Sequence, residues 1–275
     1  MIEEHWNDLP LGKETQYEFE YNPGLLHPIE RAHSREKLGI GAALPFKGED
    51  IWWGFELSWL NERGKPQVAV AQFRIPVDSP NIIESKSFKL YLNSFNQSRF
   101  VSRTEVEALL ANDLSGAAGA PVQVELFNVE DPALAVGALA GTCLDDLDIE
   151  VRAYQPDSGM LAHAEGAKVV EESLYSHLLK SNCPVTGQPD WATVVINYRG
   201  QQIDREKLLE YLVSFRQHQD FHEHCVERIF CDVQRILSPE KLTVCARYTR
   251  RGGLDINPLR SSETTWEVPA RLARQ

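Results

Sequence analysis

Two five-residue stretches decide the fold: Tyr91-Leu92-Asn93-Ser94-Phe95 and Tyr211-Leu212-Val213-Ser214-Phe215. They agree at Tyr, Leu, Ser and Phe, and each closes a run with helical spacing. From Glu84 to Phe95, residues Phe88, Tyr91, Leu92 and Phe95 share one stripe, with Lys86 and Lys89 off it. From Asp204 to Phe215, Leu208, Tyr211, Leu212 and Phe215 do the same. Each run is followed by a phenylalanine, Phe100 or Phe221, and then by a second helical run carrying an aspartate, Asp113 or Asp232. The first of these runs from Arg103 to about Leu114, with Val106, Leu109 and Leu110 inward and Gly116 to Gly119 as its stop. The second runs from His222 to Leu237, with Val226, Ile229, Phe230 and Val233 inward.

Strands flank both helix pairs. Residues 51–61 alternate, with Ile51, Trp53, Phe55 and Leu57 on one face and Trp52, Glu56 and Ser58 on the other. Asn61-Glu62-Arg63-Gly64-Lys65 reads as a hairpin turn. Val68 to Val77 returns as a strand, Asp78-Ser79-Pro80-Asn81 ends it, and Val122 to Asn128 supplies a third. In the C-terminal half, Trp191 to Tyr198 and Leu242 to Tyr248 read as strands. The shared order of elements is that of an internal duplication in an α+β protein.

The expected organisation is an N-terminal extension (1–48), a first module (49–130), a connector (131–180) and a second module (181–275). In the extension, Glu30 to Lys37 reads as a short solvated helix. In the Ala-, Gly- and Asp-rich connector, a strand is expected near Asp148–Tyr154 and a helix near Val169–Lys180. Two small antiparallel sheets, each backed by a helix pair, are expected to pack together, and their open edges to recruit further copies.

Composition excludes several classes. The 275 residues are 43% hydrophobic and 25% charged, as in ordinary globular proteins. A net charge of −12, from 40 acids and 28 bases, argues against a nucleic-acid or anionic-membrane surface. No apolar run approaches the ~20 residues of a membrane span. Met1 to Trp6 is acidic and has no apolar core, so a secretory signal is not expected there. Five cysteines, an odd number with no CxxC pair, fit free thiols in a reducing cytoplasm.

Ser181-Asn182-Cys183-Pro184-Val185-Thr186-Gly187-Gln188-Pro189-Asp190 carries the clearest chemistry. Pro184, Gly187 and Pro189 break regular structure, so this reads as loop. A cysteine on an ordered loop beside a titratable group is a nucleophile candidate. Against that stands the commoner role of a free cysteine as a small buried hydrophobe. Cys225, Cys231 and Cys245 lie on apolar faces and read as core, and Cys143 has no assigned role. The halves also differ at matching places. Glu84 and Lys86 correspond to Asp204 and Glu206, while His222 and Glu223 correspond to Val101 and Ser102. Either one composite site is shared by a pair of modules, or these are ordinary helix-end charges favoured by the macrodipole.

The octapeptide Glu84-Ser85-Lys86-Ser87-Phe88-Lys89-Leu90-Tyr91 resembles the signature of the NADPH-dependent 7-cyano-7-deazaguanine reductases, in their long, two-module form. Cys183 to Asp190, His222-Glu223 and Arg250-Arg251-Gly252-Gly253-Leu254-Asp255 match the same family, and the resemblance covers most of the chain. It implies tandem tunnelling-fold modules, each an antiparallel sheet backed by two helices, that assemble into barrels. It also implies reduction of a nitrile to an aminomethyl group in queuosine biosynthesis, through a covalent thioimide on Cys183. Asp190 becomes the general acid/base, and His222 shares proton transfers or orients the intermediate.

Ile83, Glu84, Ser85, His222 and Glu223 become substrate contacts, since carboxylates suit the N–H donors of a guanine-like ring. Ser85, Lys86, Arg251 and Gly252 become the NADPH positions. No GxGxxG follows a strand, so that cofactor site is not of the Rossmann kind. The small-molecule nitrile is the expected partner, with no nucleic acid, membrane or metal, in a homodimer or larger homo-oligomer.

Two competing readings remain in view. One is a metal-dependent relative such as a pterin-forming cyclohydrolase, with His222, His224, Cys225 and Cys183 as zinc ligands. Residues two apart on a helix do not face each other, which weighs against it. The other is a non-catalytic purine-like ligand-binding module, which loss of the thiol or the acid would favour; neither is lost.

Overall fold

The elements follow from the local chemistry of the chain. The structure, a computed structural model, describes residues 17–275, so the readings of Met1 to Trp6 and of the start of the 1–48 extension lie outside the described residues. In chain order the elements are β1 (Pro28–Glu30), α1 (Ala32–Lys37), β2 (Lys47–Leu60), β3 (Pro66–Pro76), β4 (Asn81–Ile83), α2 (Ser85–Ser94), α3 (Arg103–Ala118), β5 (Gln123–Phe127), β6 (Thr142–Cys143), β7 (Val169–Asn182), β8 (Pro189–Gln201), α4 (Arg205–Ser214), α5 (His222–Leu237), β9 (Lys241–Tyr248) and β10 (Leu254–Ser261). The class is α+β, as expected.

The chain divides into two compact units. The first holds the described residues up to His33, Asp50–Ala135 and Arg250–Ile256. The second holds Ser34–Glu49, Val136–Thr249 and Asn257–Gln275. In the first, the strand order is β5-β3-β2, and β1 pairs with β4 through Pro28↔Ile83. Trp52, Leu57, Phe73, Phe88, Tyr91, Phe95, Val106 and Leu110 form one buried core between these strands and α2 and α3. In the second, the order is β10-β9-β8-β7-β6, and Leu174, Val194, Tyr211, Phe215, Ile229 and Phe230 are fully buried.

The two units repeat one local design. Glu84 caps α2, its carboxylate accepting from the Lys86 and Ser87 N–H groups, and Asp204 caps α4 through the Glu206 and Lys207 N–H groups. The Tyr91 hydroxyl donates to Asp113 at 2.7 Å and that of Tyr211 to Asp232 at 2.8 Å, tying each helix pair together. Tyr91 meets Phe95 edge-on at 5.3 Å, and Tyr211 meets Phe215 edge-on at 5.4 Å. α3 and α5 both end in a left-handed residue, Gly119 and Ser238. The stop of α3 is thus Gly119 alone, and Gly116 lies inside the helix.

Several expectations are corrected. Residues 169–182 form strand β7, not a helix, paired with β8 through Ser181↔Asp190 and Leu174↔Ile196. Its register shifts between Ser176 and Leu179, so the buried positions run 174, 176, 179, 181. β2 slips the same way, with Trp52, Gly54, Leu57 and Trp59 facing in, so its alternation is not a single period either. Residues 148–154 hold no strand; the connector's strand is β6. The 30–37 run does contain the helix α1, with Ala32, His33, Glu36 and Lys37 exposed as expected, but Ser34 and Arg35 are buried. Arg31 is buried against Asp50 at 2.6 Å, and Arg35 against Glu227 at 2.7 Å.

Candidate active site

The thiol candidate stands at the start of a hairpin turn. β7 ends at Asn182 and β8 begins at Pro189, leaving Cys183 as the first residue of the connecting loop. The Cys183 N–H donates to the Gln188 carbonyl at 2.9 Å, and the Gly187 N–H donates to the Cys183 carbonyl at 3.0 Å. Gly187 takes φ +68°, which a side chain would strain. Cys183 is 5% exposed, so it is both a turn residue and buried.

The same hairpin carries Asp190, opposite Ser181 and 3% exposed. The α4–α5 connection reaches the hairpin through a parallel bridge, Asn182↔Gln219. That bridge sets the first residue of α5, His222, beside β8: its Nε2 lies 3.4 Å from Asp190 Oδ2. The ring stacks flat on Tyr248, 3.8 Å centre to centre and 9° from parallel. Its buried Nδ1 has no hydrogen-bond partner among the described residues. Glu223 follows, 2% exposed. Two residues beyond His222, on another face of α5, His224 Nδ1 bonds Asp220 Oδ1 at 3.0 Å. Burial works against a charged His224, but the Asp220 hydrogen bond and the charges of Asp220, Glu227 and Glu223 outweigh it and raise its pKa.

Two neighbours of this group carried no signal in the sequence. Lys180 bonds Asn182 Oδ1 and the Arg216 carbonyl, and its pKa is lowered by burial and by Arg216 while Asp190 pulls it back up. Tyr248 supplies the face on which His222 lies.

The other named residues fall in the first unit. Ile83 ends β4, is 2% exposed and sits opposite Pro28. Glu84 is 1% exposed, and burial raises its pKa against the lowering effect of the Lys86 and Ser87 N–H groups. Ser85 and Lys86 open α2. Arg251 and Gly252 belong to a tight turn closed by Arg251 N–H to Leu254 O at 2.8 Å and Leu254 N–H to Arg251 O at 3.1 Å. Gly252 and Gly253 take φ +58° and +80°, the geometry that two successive glycines permit. A side-chain carbon at Gly252 would lie 3.0 Å from Lys89 Nζ, and one at Gly253 would lie 2.4 Å from the Glu56 carboxyl carbon. Lys89 therefore belongs with this turn. It shares a face of α2 with Lys86, three residues before it, a spacing visible in the octapeptide but assigned no role there. A close-approach glycine turn beside Lys89, which also pairs with Glu56 at 3.9 Å, offers a cation and exposed backbone to an anionic group.

The zinc alternative does not survive the geometry. Among the described residues, the His/Cys/Asp/Glu group close enough to share an ion is Cys143, Asp145 and His177, not His222, His224 and Cys225. Cys225 and Cys245 are core, as expected, whereas Cys231 is only half-buried.

By class the chain is a nitrile reductase. The family description "Nitrile reductase, 7-cyano-7-deazaguanine-reductase N-term" matches residues 17–126, and "QueF-like protein" matches 189–266. A curated NADPH-dependent 7-cyano-7-deazaguanine reductase of Chromohalobacter salexigens is 59% identical over 97% of this chain and 96% of its own. One of Bordetella avium is 58% identical over 98% of this chain and 99% of its own. The chain belongs to the family of NADPH-dependent 7-cyano-7-deazaguanine reductases. The solved structure of the archaeosine synthase QueF-Like in the apo form covers 35% of this chain and 96% of that one, at 17% identity and a TM-score of 0.31. No helix among the described residues is long and apolar enough to cross a membrane.

Proposed function

We propose that Cys183 is the nucleophile through which this chain reduces the nitrile of 7-cyano-7-deazaguanine to 7-aminomethyl-7-deazaguanine, the NADPH-dependent step of queuosine biosynthesis. The observation that carries the assignment is the hairpin. It holds the thiol at its turn and Asp190, already engaged by His222, two residues into the returning strand.

The chemistry follows from these groups. A nitrile carbon is a poor direct hydride acceptor. The Cys183 thiolate adds to it, the C–S bond forms, and one π-electron pair moves to nitrogen. Asp190 gives that nitrogen a proton, and His222 at 3.4 Å restores the proton to Asp190. The resulting thioimide is the more polarised acceptor. Bound NADPH supplies hydride, two equivalents for each nitrile. Once the carbon is reduced, Cys183 departs with the C–S electron pair and leaves an imine, which a second reduction and proton convert to the amine.

Glu84 and Glu223 accept from the ring N–H and amino groups. Each Glu84 oxygen already takes one backbone N–H and has a second lone pair to offer. Ile83 and Ser85 flank it. Ser85, Lys86, Arg251 and Gly252, with Lys89, hold the NADPH phosphates. The two halves are tandem tunnelling-fold modules, the second beginning at β7, and the protein works as a homodimer or larger homo-oligomer in the cytoplasm.

Mass spectrometry of the protein mixed with the nitrile, without NADPH, tests the central role. A covalent adduct mapping to Cys183 and absent from Cys183→Ala is expected. A wild type that oxidises NADPH in response to the nitrile yet yields no adduct refutes covalent catalysis.

A further inference from the structure

Cys143, Asp145 and His177 lie outside all the roles given above. They place a thiol, a carboxylate oxygen and an imidazole nitrogen within 4.8 Å of one another, all half-buried in the second unit. Two backbone features assemble them. β6 runs parallel to β7 with Cys143 opposite Tyr175, and the β7 bulge falls where His177 emerges. Bulges re-aim a side chain out of the regular alternation. The Asp145 carboxylate is oriented by the Ser176 hydroxyl at 2.7 Å and the His177 N–H at 3.2 Å. His177 Nδ1 lies 2.8 Å from Thr193 Oγ1. Arg274 donates both to that hydroxyl and to the His177 carbonyl.

The geometry points to a binding site for a zinc-like divalent transition cation, with Cys143, Asp145 and His177 as its three protein ligands. The donor set decides the class of ion. Magnesium and calcium take oxygen ligands, whereas a thiolate with an imidazole selects zinc and its borderline-soft neighbours. Tetrahedral zinc with bonds of ~2.0–2.3 Å needs ligand atoms about 3.3–3.8 Å apart, so the three must close by no more than about 1.5 Å. Binding exchanges the Cys143 thiol proton for the metal, and a thiolate and a carboxylate then balance the doubly charged ion. With Nδ1–H donated to Thr193, Nε2 carries the lone pair for the metal, and Thr193 acts as the outer partner that fixes the tautomer. A water takes the fourth position. The site clips the connector segment 143–145 onto β7.

The test uses full-length protein stripped with chelator and titrated with cobalt(II), then competed with zinc. One cobalt per chain with thiolate-to-metal absorption is expected, displaced by zinc and retained in Cys183→Ser. Cys143→Ser abolishes the absorption while keeping nitrile-dependent NADPH oxidation, Asp145→Asn weakens binding, and Thr193→Val weakens it about 10–100-fold. Zinc should raise the melting temperature of the wild type and not that of Cys143→Ser. Absorption that persists in Cys143→Ser but vanishes in Cys183→Ser overturns the site, and so does a wild type that binds no metal.

Discussion

Glu227→Gln is expected to cost about 3 kcal/mol of stability. Glu227 lies on α5 and accepts from Arg35 at 3.1 and 2.7 Å and from Arg260 at 3.2 and 3.0 Å. The Glu227 and Arg260 side chains are fully buried, and that of Arg35 is 10% exposed. Removing one member of a buried ion pair typically costs about 3–5 kcal/mol, because the remaining charge stays desolvated. Glutamine keeps one acceptor oxygen but turns an amide NH₂ toward a guanidinium, which sets the estimate at the lower end of that range. At about 2–4 °C per kcal/mol for a unit of this size, the melting temperature should fall by roughly 6–12 °C.

The pH dependence has a definite sign. Burial pushes the Glu227 carboxyl up, but Arg260 and Arg35 outweigh it and hold the pKa below the usual glutamate value. Its stabilisation is therefore complete above the unfolded pKa of ~4.3 and is lost as pH falls below that toward the folded value. Urea unfolding followed by tryptophan fluorescence at pH 7 and at successive acidic pH values measures both effects. The gap between wild type and variant should narrow on acidification. A difference below about 1 kcal/mol at pH 7, or a gap that widens in acid, refutes the assignment of this network as a stabilising charge cluster.

Asp190→Asn should slow nitrile-dependent NADPH oxidation by about 10²–10⁴ while leaving NADPH affinity unchanged, and a loss under tenfold removes Asp190 as proton donor. Lys89→Ala should raise the KM for NADPH by at least about tenfold at constant kcat, the loss of one charge-assisted contact, and an unaltered KM dissociates Lys89 from the phosphates. Tyr91→Phe and Tyr211→Phe each delete a hydroxyl that donates to a carboxylate, and each should cost about 1.5–3 kcal/mol in denaturant unfolding. A large cost in one and none in the other would show that the two helix-pair ties are not equivalent.

Where periodicity runs unbroken, the chain was readable: α4 and α5 begin and end within a residue or so of their expected limits. β7 was not, and the bulge is the reason. Burial at 174, 176, 179 and 181 mixes spacings of two and three, which imitates a helix. The duplication held the remedy, because β2 buries 52, 54, 57 and 59 with the same slip, but Trp52 and Trp59 stand where Leu174 and Ser181 do and hide the match. The buried Arg31 and Arg35 were misread because their acidic partners are distant in sequence, Asp50 and Glu227. The loop chemistry singles out Cys183 and Asp190, and the motif resemblance gives them and His222 their roles; the hairpin register and the Asn182↔Gln219 bridge are long-range and leave no local trace. Nothing local to Cys143 points to His177, which lies 34 residues along the chain.

The hairpin turn of the first unit has a bearing on the place of the thiol. The Asn61 N–H donates to the Lys65 carbonyl at 3.0 Å and the Gly64 N–H to the Asn61 carbonyl at 2.8 Å, the counterparts, in a loop one residue shorter, of the two bonds that frame Cys183. β2 is bridged to the helix connection at Leu60↔Arg99 as β7 is at Asn182↔Gln219, so Asn61 stands where the thiol stands. The first turn is built around an asparagine whose Oδ1 accepts from the Arg63 and Lys65 N–H groups, whereas the second closes through backbone bonds and leaves the side chain at the matching place out of the turn's own hydrogen bonding. On the proposed assignment, one copy of the hairpin offers a thiol to a substrate, while in its sibling the side chain at that place serves the turn itself.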